Sequence, residues 1–285
     1  MSKLADWVDG DEDRKRLARV LVRFAVKVAG SDIDLSNLVA GLSVAPPGTA
    51  VVGGYTAPNV LENSGLVVTP GNNTLILLGP NNRPFFLSDP GPDGLRYSRD
   101  TAPLVDSGEA GINGTAVNWG IYAGGSVFTA GGAARTPQYF YFMGTGNVTS
   151  PGDLALPGAA GYNTVVGFTK PINEAGQLGG NVNLSVAVTF GAAPRITSYN
   201  LGVQDAAGRN WGAMLNSPSM LLTNFANGGN LPNLDVNCTG AGCVAGTTAG
   251  KAAGFVIGGA NRDGFISSYA LKSGTASVTG AVAVK

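Results

Sequence analysis

Hydrophobic and polar positions along the chain change rhythm once, early. Over residues 11–28 (DEDRKRLARVLVRFAVKV) two periods compete. Leu17, Val20, Leu21, Phe24 and Val28 fall at helical spacing behind a cluster of acids, which favours a helix start. Val20, Val22, Phe24, Val26 and Val28 also alternate against Leu21, Arg23, Ala25 and Lys27, the Val-rich spacing of a strand. The pattern predicts one short helix over about 11–19 running into a strand over about 20–28.

From Ser31 onward short apolar runs recur without a long helical pattern. They are Val51-Val52, 66–68, 75–78, 117–122, 139–143, 164–168, 182–190, 195–203, 211–214, 220–225, 254–257, 266–271 and 277–284. Turn signals separate them, among them Pro70-Gly71-Asn72-Asn73, Asp93-Gly94, Asn113-Gly114, Asn227-Gly228 and Asp263-Gly264. A dozen short strands with such turns predict an all-β sandwich or barrel. Residues 79–113 hold five prolines, which remove ladder donors, and read as a Pro-rich loop or linker. The expected division is therefore 1–78 (helix plus β region), 79–113 (linker) and 114–285 (β-barrel domain). Tyr139-Phe140-Tyr141-Phe142 places rings on both faces of one strand, as in a doubly buried strand or a stacking surface.

Composition narrows the function. The chain has 285 residues, with 18 basic and 18 acidic side chains and a net charge of zero. Only 13% are charged, so the chain is not built to neutralise a phosphate backbone, and no nucleic-acid partner is expected. It contains no histidine, which removes the commonest general base and the commonest transition-metal ligand. Ser-His-Asp and Cys-His catalysis are impossible within it. No cofactor, metal or catalytic residue is expected, and the chain reads as a non-enzyme.

Local motifs do not reverse this. The paired glycines at 124–125, 131–132, 179–180 and 258–259 lack the flanking pattern of a phosphate loop and read as strand ends. Asp9, Asp11, Glu12 and Asp13 lack the glycine and terminal glutamate of a calcium loop. No local context singles out two of the 18 acids as a glycosidase pair. Sequons at Asn72, Asn113, Asn147, Asn183 and Asn237 arise readily in an Asn- and Thr-rich chain. Neither a signal peptide nor a transmembrane segment is read from the sequence.

Cys238 and Cys243 sit in NCTGAGC. They read as a disulfide or as two free thiols. Gly240 and Gly242 let the chain turn between them, and with no histidine or third cysteine a metal site is not available. A disulfide would place the protein in an oxidising compartment. Its short ring contributes about 2–3 kcal/mol on the loop-closure model.

The order of motifs from residue 117 carries a resemblance. Val117-Asn118-Trp119-Gly120-Ile121-Tyr122-Ala123-Gly124-Gly125 resembles a V-x-W-G-x-W-x-G-G strand. Leu156-Pro157-Gly158 through Tyr162 is similar to L-P-x-x-G-x-x-x-Y, and 183–190 to the strand that follows it. Gly254-Phe255, Gly258 to Ala260, Gly264 to Tyr269 and Gly280 to Val284 resemble the ending of C-terminal β-barrel domains. Such domains occur in transferrin-binding protein B, in related surface lipoproteins, and at the C-termini of proteobacterial surface proteins that carry a FecR domain. Thr189 departs from the pattern, standing where an acid is usual, and Phe255-Val256-Ile257-Gly258 has one extra residue. The resemblance covers about 114–285. It implies an antiparallel up-and-down β-barrel of about eight strands, at a bacterial cell surface or outer membrane, with a protein partner. The family's transferrin-recognition residues lie elsewhere in it, so no iron-related function is implied.

Two functions follow as expectations. The first is a non-enzymatic extracellular or cell-surface module acting in binding or structure. The second is a homo-oligomer, as a subunit of a homopolymeric surface filament or layer, in which Val20, Val22, Phe24, Val26 and Val28 form an assembly strand that pairs with a neighbour's sheet edge by strand addition.

Overall fold

A computed structural model of the chain describes residues 42–56, 66–68, 75–79, 81, 83–88, 96–128, 135–215, 217–226 and 234–285. The segment 20–28 and the helix expected over 11–19 lie outside the described residues. The described chain is nearly all β and antiparallel throughout its sheets.

Four sheets stack in order. Sheet 1 joins β1 (Ser43–Val44), β4 (Leu75–Leu78), β5 (Pro84–Ser88), β6 (Arg96–Ser98) and β9 (Ser126–Phe128). Sheet 2 runs β3 (Leu66–Val68), β2 (Ala50–Thr56), β10 (Tyr139–Thr145), β8 (Thr115–Ala123) and β7 (Leu104–Ile112). Sheet 3 runs β12 (Val165–Phe168), β21 (Ala276–Val284), β20 (Gly264–Ser273) and β19 (Thr248–Ile257), with β13 (Ile172–Asn173) also on β21. Sheet 4 runs β11 (Gly158–Tyr162), β14 (Gly180–Phe190), β15 (Arg195–Asp205), β16 (Asn210–Leu215) and β18 (Leu234–Thr239), with β17 (Met220–Leu221) on β15. Two short helices, α1 (Pro151–Leu154) and α2 (Leu222–Ala226), lie between strands.

Each gap between neighbouring sheets is filled by its own apolar cluster. Tyr97, Tyr122, Phe140 and Phe142 fill the space between sheets 1 and 2. Tyr141, Met143, Ile121, Ile257 and Ile266 fill that between sheets 2 and 3. Val186, Tyr199, Trp211, Phe265 and Tyr269 fill that between sheets 3 and 4. The inner sheets are thus covered on both faces, and their strands are buried along nearly their whole length, as in β10 and β21. The aromatic run 139–142 is accordingly core: Phe140 and Phe142 face one cluster, Tyr141 the next. Sheet 4 has one wet face. In β14, Val182, Leu184, Val186 and Val188 are buried, while Asn181, Asn183, Ser185 and Thr189 alternate outward.

Three expectations need correction. Sheets 3 and 4 enclose one core, but no sheet closes into a barrel. At one seam β18 meets β19 through side chains: a Cβ on Gly250 would touch Val236 Cγ2 at 2.5 Å and Leu234 Cδ1 at 3.5 Å. At the other seam the chain turns a corner between β11 and β12, where the N–H groups of Asn163 and Thr164 both donate to Lys285 O. Residues 79–113, read as a loop or linker, contain β5, β6 and β7. Pro84 is tolerated because it opens its strand. Residues 220–225, read as a strand, leave the sheet after Leu221 and form α2, which buries Leu222 and Phe225.

Candidate functional site

The sequence-nominated cysteines lie at one end of the core between sheets 3 and 4. Cys238 stands in β18 opposite Trp211 of β16. The chain then turns through Gly240 (φ +121°) and Gly242 (φ +84°), both in the left-handed region that favours glycine. Cys243 N–H donates to Gly240 O at 3.3 Å. The two cysteines form a disulfide with Cα atoms 5.6 Å apart, within the usual span for one. Beyond it, Val244 is held by the buried Ser273, whose Oγ accepts from Val244 N at 2.9 Å and donates to Val244 O at 3.0 Å.

Under this loop lies an ion cluster that sequence reading did not find. Arg209 has a side chain 4% exposed. Its Nε donates to Asp205 Oδ2 at 2.7 Å, and its Nη1 and Nη2 donate to Glu174 at 2.8 and 2.7 Å. Asp205, with a fully buried side chain, also accepts from the N–H groups of Ala207 and Arg209 and from Trp211 Nε1 at 3.0 Å. Glu174 accepts in addition from Ser277 N. Burial pushes Glu174 up, but the bidentate Arg209 fork and the Ser277 N–H outweigh it and hold the carboxyl below its ordinary range. Glu174 raises Arg209 in turn, against the cost of burial. Every charged atom here is paired, which is the condition for burying charge. The cluster ties the β13–β14 connection, the β15–β16 hairpin and the start of β21. The Asp205-to-Arg209 turn is visible as a hairpin signal; Glu174, 35 residues away, carries none.

The other ionisable groups with large shifts are tyrosines in the core. Burial raises Tyr141, Tyr199 and Tyr269 well above the usual phenol range. Tyr141 and Thr279 share a hydrogen bond at 2.7 Å, and Tyr199 and Ser267 another at 3.1 Å. These are structural hydroxyls held in packed sheets. Among the described residues no group of three or more His, Cys, Asp or Glu is placed to hold a metal, and no helix is long and apolar enough to cross a membrane. The candidate assembly strand (Val20, Val22, Phe24, Val26, Val28) lies outside the described residues.

No family model and no curated protein matches the chain. Solved structures do. The isotype 1 transferrin binding protein B of serogroup B Neisseria meningitidis is similar at 9% identity and a TM-score of 0.32. That match covers 85% of this chain and 43% of the other. Intact Ap-TbpB, with its N and C lobes, is similar at 11% identity and a TM-score of 0.31, covering 83% of this chain and 45% of the other. The chain thus spans less than half the length of either protein. Likeness of this order leaves their sites and partners with those proteins. No finding concerns the FecR-domain surface proteins.

Proposed function

We propose that the protein is a non-enzymatic β module of an oxidising, extracytoplasmic setting, exposed at a cell surface and acting by binding a protein partner. The observation that carries this reading is the Cys238–Cys243 disulfide, since such bonds persist outside the reducing cytosol. Two features support it. The ionisable groups with shifted titration lie inside packed cores or in a fully paired ion cluster. The stack of three apolar cores carries an outer sheet with an uncharged polar face along β14, a surface suited to a partner that does not depend on charge.

The test uses protein in its native cells. Intact cells are treated with a protease and with a membrane-impermeant amine label, and the chain is then followed by mass spectrometry. Labelling and cleavage on intact cells are expected. Protection until lysis would overturn the reading. A broad panel of ester, glycoside and peptide substrates tests the non-enzyme part: turnover lost on a single Asp or Glu substitution would contradict it.

A further inference from the structure

The glycines between the cysteines do more than turn the chain. An added Cβ on Gly240 would stand 3.0 Å from Arg209 Cγ and 3.3 Å from Arg209 Cα. One on Gly242 would stand 3.8 Å from Arg209 Nη1 and 3.9 Å from Ala276 Cβ. Gly240 to Gly242 therefore lie directly on the Arg209 side chain, although the loop itself is exposed on its other side. Arg209 is only 4% exposed along its side chain, and its neighbours Asp205 and Trp211 are likewise buried.

Two fixed points flank the covering segment. Upstream, Thr239 is in register with Asn210 in the sheet. Downstream, Val244 is clamped by Ser273. Between them Gly240, Ala241 and Gly242 offer no long side chain as an anchor. The described ties on this stretch are the Cys243-to-Gly240 backbone bond at 3.3 Å and the disulfide.

We propose that residues 240–243 form a disulfide-locked lid over the Arg209–Asp205–Glu174 cluster, and that reduction of Cys238–Cys243 by a dithiol opens that end of the core. A thiolate of the dithiol attacks one cysteine sulfur, breaking the S–S bond and forming a mixed disulfide. The second thiol of the reagent closes on the first. The reagent leaves as a cyclic disulfide, and Cys238 and Cys243 take up its two protons and two electrons as thiols. The released loop regains chain entropy, and water reaches the ion cluster.

The experiment compares the folded, oxidised chain with the same protein reduced by dithiothreitol and capped with iodoacetamide, using hydrogen exchange read by mass spectrometry. Exchange should rise roughly tenfold or more at Cys243, whose amide is bound to Gly240 O, and in 207–211, whose Ala207 and Arg209 amides are bound to Asp205. Exchange in β20 and in β21 beyond Ser277, whose own amide is bound to Glu174, should not change. Unchanged protection of 207–211 would show that the bond fixes only its own loop and would overturn the proposal. Uniform acceleration through β20 and β21 would overturn it too, because the bond would then be a global staple. The Cys238→Ser/Cys243→Ser variant must repeat the local pattern. If it folds and stays closed, the alkyl caps caused the opening and the proposal falls. If it does not fold, reduction of the folded protein still decides.

Discussion

Trp119 offers a direct test of how sheets 2 and 3 are joined. It lies in β8, packs against the core between these sheets, and is pressed between two glycines. A Cβ on Gly167 of β12 would collide with the far edge of the indole, with Cζ2 at 3.0 Å and two other ring atoms nearer. A Cβ on Gly108 of β7 would collide with the same six-membered ring at Cζ2 and Cε2, with Nε1 at 3.0 Å. The indole thus fills the space over both glycines, and Asp106 of β7 pairs at 3.3 Å with Lys170, which follows β12. Gly167→Ala should therefore act as an overpacking change and cost about 1–3 kcal/mol. Trp119→Ala vacates the space, so the same Gly167→Ala change in that background should cost under about 0.5 kcal/mol. The coupling between the two sites, read from urea melts of the four proteins, should then approach the whole single-mutant cost. The slope of each melt should stay constant, showing that stability rather than compactness changed. A Gly167→Ala cost below about 0.5 kcal/mol, or an equal cost with and without the indole, would refute the sandwich.

Other predictions concern buried charge and buried hydroxyls. Arg209→Met strands the fully buried Asp205 side chain and should cost about 3–5 kcal/mol in thermal or chemical unfolding. Because Glu174 is held below its unfolded range, its contribution is complete above about pH 4.3 and is lost as pH falls through the lower folded value; Glu174→Gln should flatten that part of the acid stability profile. Tyr269 is buried with its hydroxyl unpaired, so Tyr269→Phe should be neutral or stabilising. Tyr141→Phe loses the Thr279 bond and should cost about 0.5–1.5 kcal/mol by the same melts.

The all-β class was legible because hydrophobic burial writes itself as short runs between turns, and β2, β8, β10, β14, β15, β20 and β21 fall on such runs. β7 was not legible. Its sequence, LVDSGEAGI, has few branched or aromatic residues, and as the edge of its sheet it is only half buried. The open seams were hidden for a related reason. β18 lies against β19 where Val236 meets Gly250, a contact between residues that no local period relates. At the site, the cysteine pair was readable from spacing and glycine content. The Arg209 cluster was not, because Glu174 is supplied from a distant connection and Ser277 acts through its backbone. The reason for Gly240 was half read: the turn was apparent, and the close approach to Arg209 was not.

The most direct test of the account is the state of Cys238 and Cys243 in protein taken from its native source. Cells are lysed into an excess of alkylating reagent, and the intact mass of the chain is measured with and without prior reduction. No alkylation is expected before reduction, and two alkyl groups after it. Two alkyl groups without reduction would mean free thiols in the cell, and would contradict both the locked lid and the placement of the protein outside the cytosol.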